Sequence, residues 1–153
     1  MIVEELFPYR HQTWSVLKPA IEKLTSEQLE WSAGDHMPIG ETLWHMADTE
    51  QWWLQKVCRK RPEFMVKKPP LADVEALLSV YESVRMLSEN FFDPLTPEDL
   101  EQPIEQKMFE GIQGLDTPGT VRWAIHHVFE HESYHAGQIA LLMRLQGLRP
   151  PKF

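Results

Sequence analysis

Apolar residues recur every three or four positions along most of this chain, the spacing that keeps one side of an α-helix dry, and nowhere do they alternate convincingly with the period of two expected of a strand. Trp14, Leu17, Ile21 and Leu24 form the first such stripe and predict a helix from about Pro8 to Leu24, in which Pro19 removes a backbone donor and should introduce a kink. Thr25, with Gln28 three residues on, has the form of a capping box and predicts a short extra helical turn before the loop SAGDHMP. Pro38 suits a first helical position, and Ile39, Leu43, Met46, Trp53 and Val57 carry a second helix to Arg59, where Pro62 stops it. Val74, Leu77, Leu78, Tyr81, Val84 and Leu87 mark a third helix, Leu71 to Asn90. From Phe92 to Gly119 periodicity fades and Pro, Gly and Asp accumulate, which predicts a long loop. Thr117 and Pro118 then make a cap and first-position pair for a fourth helix ending near Gly147, about 29 residues or roughly 43 Å at about 1.5 Å per residue. Four long amphipathic helices with no strand candidate predict an all-α four-helix bundle, a fold whose ligand sites are built from side chains facing inward between helices.

Composition narrows the partners. The 153 residues, 42% hydrophobic, 25% charged and 10% aromatic, suit one compact domain spanning residues 1–153 and exclude a disordered or low-complexity chain. Fifteen Lys and Arg against 23 Asp and Glu give a net charge of −8. The densest basic cluster, Lys56, Arg59, Lys60, Arg61, Lys67 and Lys68, lies beside prolines and reads as a helix end with its loop, so nucleic acid is not an expected partner. There is no run of about 18 apolar residues, and the opening MIVEELFPYRHQ lacks a basic start followed by an apolar stretch, so neither membrane spanning nor export is expected. The expected address is cytoplasmic, and a lone Cys58 agrees with a reducing compartment.

The fourth helix interrupts its own apolar stripe. Val128, His131, His135, Ile139 and Leu142 share one face, so two imidazoles stand where core residues belong. Side chains one turn apart come within about 5–6 Å, close enough for both to reach one metal ion at about 2.0–2.1 Å. They also read as ordinary core histidines, each with its own hydrogen-bond partner. That reading weakens as such groups multiply, because each buried unsatisfied polar group costs about 1–3 kcal/mol in a domain stable by only about 5–15 kcal/mol, whereas a shared ion satisfies them together. His45 is the third candidate ligand, mid-way along the second helix among Trp44, Trp52 and Trp53, at the edge of the Leu43, Met46 and Trp53 stripe.

The string HESYH, His131 to His135, also fits the HExxH pattern of zinc hydrolases, with Glu132 as candidate general base. The residues after His135 contain no His, Cys, Asp or Glu to complete such a site, and no strand is available to align a peptide, so hydrolysis is the remote alternative. Asp48 and Glu132, each one turn from a candidate ligand, read either as second-sphere partners of the imidazoles or as solvated helix charges. His127 precedes His131 by one turn as a pocket or second-sphere candidate; Gln138 and Tyr134 are placed to contact a ligand, and Trp52 to wall the pocket. His11, His36 and His126 read as surface or loop residues. At about 100° per residue Cys58 lies roughly 220° round the helix from His45, away from the same metal.

The segments IGETLWHMADTEQWW and HHVFEHESYHAGQIALLMRLQG, in this order and separation, resemble the DinB-like superfamily of metal-binding four-helix bundles, sometimes grouped with bacillithiol- and mycothiol-dependent transferases. The similarity covers nearly the whole chain and includes a final HExxHxGQ-type segment with Gly137 and Gln138, although Ala136 stands where many relatives carry Arg. It implies that His45, His131 and His135 are the metal ligands, and that the protein is a homodimer acting on a small molecule. Three imidazoles leave at least one coordination position open, unlike structural zinc sites closed by four protein ligands, and a cation there shifts a thiol or water toward its anion. All-nitrogen ligation suits nickel or zinc, with iron or copper as the other metals of that class. Two functions are therefore expected: a metal-dependent thiol S-transferase or related enzyme using a low-molecular-weight thiol cosubstrate, or a non-catalytic metal-binding, stress-associated module.

Overall fold

Side-chain caps decide where several of the helices begin. The computed structural model describes residues 1–110, 112 and 119–153. The first predicted helix is two: α1, Ile2–Leu6, and α2, Gln12–Ile21, separated by a turn at Pro8, with α2 continuing through Pro19. The capping box is present, Thr25 accepting from the Gln28 amide while Gln28 Oε1 accepts from the Thr25 amide, and it opens the short α3, Ser26–Glu30. The second predicted helix is α4, Ile39–Gln51, running on as a π-helical segment from Trp52 to Cys58. The wider π turn brings Trp53, Leu54, Gln55 and Val57 to the interior from one short stretch.

α5, Val74–Phe92, starts later than its stripe suggests because Asp73 caps it, accepting from the Ala76 amide at 3.0 Å. The predicted loop before the last helix carries structure of its own: α6, Pro97–Leu100, beneath a Thr96–Asp99 capping box, a 3-10 turn over Gln106–Phe109, and an isolated antiparallel bridge between Pro103 and Thr120. Thr117 and Pro118 lie outside the described residues; the last helix, α7, spans Val121–Leu145 under a Thr120 cap and ends at Gly147 with φ +74°, the left-handed terminus that glycine adopts without strain. No β-strand occurs among the described residues, and none of their helices is long and apolar enough to cross a membrane.

Cross-helix pairs fix the topology. Arg10 meets Glu89 and Lys18 meets Glu82, so α2 is antiparallel to α5, while Thr13 against Ser133 and, past the end of α2, Gln28 of α3 against Gln146 at the end of α7 set α2 parallel to α7. Two apolar clusters fill the bundle. One contains Leu43 and Met46 of α4, Leu77 and Val84 of α5 and Ile139 and Leu142 of α7; the other contains Trp53 and Val57, Phe91 and Phe92, and Val121 and Val128. Their order makes α4 parallel to α5 and antiparallel to α7, so the segment between α4 and α5 must return along the bundle. Gln51 fastens that crossover, accepting from Val66 N at 2.8 Å and donating to Val66 O at 3.2 Å. Gly40 lets it close, since a Cβ there would lie 2.1 Å from the Leu71 carbonyl oxygen. Between the two clusters runs a polar layer of Glu50, Arg85, Ser88, Glu132 and His135, all buried.

Candidate metal centre

His45 projects from the middle of α4 toward α7, where His131 and His135 stand one turn apart at the level of the polar layer. Their Nε2 atoms converge: His131 lies 3.1 Å from His45 and 3.1 Å from His135, and all three ligand atoms fall within 4.8 Å of one another. The ring centroids are 4.3–4.8 Å apart and the planes cross at 60–86°, so the imidazoles spread like blades around one point. Two nitrogens bound at about 2.0–2.1 Å to a tetrahedral ion stand about 3.3 Å apart, so the 3.1 Å spacings on either side of His131, together with the donor set, fit one shared cation.

Protonation favours the same use. Burial, reinforced by the neighbouring charges of His135, His45 and His127, holds His131 down at about 3 against the usual 6.5. Burial also lowers His135, partly opposed by its hydrogen bond with Gln138. Both are therefore neutral at pH 7 and present lone pairs, as a metal ligand must. His135 Nδ1 donates to Gln138 Oε1 at 2.6 Å.

Among the described residues no carboxylate makes an ion pair with His45, His131 or His135. Asp48, on the next turn after His45, accepts instead from Gln51 Nε2 at 3.0 Å and helps hold the crossover. Glu132 turns into the core, where it pairs with Arg85; Arg85 Nε also lies 3.3 Å from Glu50 Oε2, and Ser88 donates to Glu50 at 2.6 Å. Burial raises the Glu132 carboxyl above its ordinary value, against the lowering effect of Arg85. The residues beside the histidines differ in part from those expected. His127 stacks on Trp123 with centroids 4.8 Å apart and planes 9° apart, has Trp53 at 5.6 Å, and lies 5.8 Å from His131. Trp52 contacts the edge of Trp53 at 4.8 Å and carries Lys56 over its ring at 5.9 Å. Tyr134, 65% exposed, stands against His135 at 5.0 Å.

The DinB superfamily model matches residues 10–139, which takes in all three histidines. The chain belongs to the DinB superfamily. This DinB bundle is similar over 94% of its length to 95% of a crystal structure of a DinB-like protein from Bacillus cereus, with a TM-score of 0.64 and 18% identity, a likeness of fold. The chain matches no curated protein sequence.

Two functionally placed groups of this DinB protein escape a reading of its sequence. Trp123 continues the i, i+4 series His127, His131, His135 by one turn, a signal present but indistinguishable from core spacing. Arg85 sits on the inner face of α5, where its carboxylate partners come from α4 and α7 and so leave no local trace. Cys58 packs against the second apolar cluster, and burial pushes its thiol up to about 12.

Proposed function

We propose that this DinB-superfamily protein, a single domain over residues 1–153, is a divalent-metal-dependent enzyme that activates a thiol or water at an open site of three histidines, with thiol S-transfer to a small electrophile as the reaction class. The observation that carries this reading is the convergence of three Nε2 atoms from two helices with no fourth protein ligand among the described residues. A divalent ion held there, nickel or zinc by the all-imidazole donor set with iron or copper as the other metals such ligands suit, supplies the charge that shifts an incoming thiol or water toward its anion.

The chain's own residues then hold and orient. His45 on α4 and the pair on α7 tie two helices to one point, and burial keeps His131 and His135 neutral at pH 7, so their lone pairs are available without prior loss of a proton. His127, stacked on Trp123, gives His131 an aromatic neighbour 5.8 Å away. Glu132, engaged by Arg85, is a poor candidate for the base of an HExxH hydrolase, which places water activation behind thiol activation. A cytoplasmic setting, where low-molecular-weight thiols are reduced, agrees with the unpaired Cys58. A homodimer belongs to this reading and is supported by Tyr134, Leu141 and Leu145, exposed along one side of α7.

The test is turnover. Metal-loaded protein is expected to accelerate transfer of a low-molecular-weight thiol to an electrophile, and His135→Ala to return the rate to the uncatalysed background. The engagement of both nearby carboxylates, Asp48 with Gln51 and Glu132 with Arg85, favours the second reading, a non-catalytic metal-binding, stress-associated module. Metal bound by wild type and lost in His135→Ala, with no rate enhancement in either across a panel of thiols and electrophiles, would establish that reading instead.

A further inference from the structure

Of the three imidazoles only His135 has a partner for its outer nitrogen among the described hydrogen bonds, and that partner is an uncharged amide on the next turn of the same helix. Residues three apart on a helix are neighbours, so the pairing follows from local geometry and survives motion of α4. The acceptor is an oxygen, which leaves Nδ1 one acceptable state, protonated. With one proton on a neutral ring, Nε2 is then bare and its lone pair faces His131 Nε2 at 3.1 Å. The other tautomer, which free histidine favours in water, would direct an N–H into the cluster.

We propose that Gln138 is the positioning residue of this centre: by accepting from His135 Nδ1 it commits that imidazole to the tautomer whose Nε2 lone pair points at His45 and His131. His135 is thus the pre-set member of the triad, and His45 and His131 complete it. The choice of an amide has a consequence. A carboxylate in the same place would draw the Nδ1 proton toward itself and make the ring a stronger donor, whereas glutamine fixes orientation without adding negative charge beside the open coordination position. The proposal rests on the metal-site reading for its purpose and on the hydrogen bond alone for its geometry.

Nitrogen-15 NMR of the imidazoles in metal-free protein tests the geometry, and zinc titration tests the purpose. Wild type is expected to show His135 as the Nδ1–H tautomer; Gln138→Ala to show a mixture of tautomers with zinc affinity lowered about 10- to 100-fold; Gln138→Glu to restore the single tautomer and bind zinc at least as tightly as wild type. An unchanged His135 tautomer in Gln138→Ala would overturn the proposal, as would measurable zinc binding of equal affinity in wild type and Gln138→Ala. Absence of zinc binding in both wild type and Gln138→Glu, with the His135 tautomer locked in each, would leave the positioning role standing and count against the metal-site reading. The conservative variant also guards against misfolding, since it retains both the volume and the acceptor.

Discussion

One residue of helix turns the chain by about 100°, and that rotation separates two jobs that adjacent letters HE seem to share. His131 points to α4 and the other imidazoles, while Glu132 points to α5 and Arg85. The HExxH string made Glu132 readable as a base, yet its orientation depended on a cation from another helix, which no local motif reports. Two buried carboxylates share that cation, so Arg85→Met would leave Glu50 and Glu132 facing each other without compensation; equilibrium denaturation is expected to show a loss of about 3–5 kcal/mol. The histidines give a pH dependence. The unfolded chain takes up a proton at His131 near 6.5 that the folded, metal-free protein refuses until about 3, so stability should fall as pH drops through that window. Denaturation midpoints at pH 7 and pH 5 check this, and His131→Gln should flatten the difference. A midpoint that rises on acidification would contradict the assigned environment.

Helices were legible as elements and less so as boundaries. The stripes located α2, α4, α5 and α7 because a buried face must repeat at helical spacing whatever it packs against. They did not show the π segment at Trp52–Cys58, whose wide turn answers the need to bury Trp53, Leu54 and Gln55 in succession, a requirement set by Phe109, Trp123 and the rest of the second cluster. Nor did they show the ends, which belong to caps such as Asp73 and Thr120. The crossover gives a test at this scale. Gly40→Ala puts a methyl group 2.1 Å from the Leu71 carbonyl, and backbone cannot yield as a side chain does. The variant should lose about 1–3 kcal/mol with protease sensitivity appearing between Phe64 and Asp73; a stability gain, as for an ordinary helical glycine, would show that the contact is not close.

The bundle as a whole joins two apolar clusters through a polar layer, and the histidines sit at that layer where α4 crosses α7. The candidate site was legible in part because His131 and His135 violate a stripe, an anomaly visible in sequence; the partnership with His45 needed the antiparallel placement of α4 and α7, which only a resemblance could supply in advance. Gln138 was visible as a neighbour three residues away, although its oxygen's engagement with Nδ1 was not. An ion held by the three histidines would connect distant parts of the chain, and the proposed function depends on it. Elemental analysis of protein purified without a histidine tag tests it most directly, comparing wild type with His45→Ala. We expect one transition-metal ion per chain in wild type and a large loss in the variant, since among the described residues His45 is the one member of the cluster that α4 supplies; a metal content unchanged by the substitution, or wild type that retains no metal after exposure to nickel and zinc, would contradict a shared three-histidine centre.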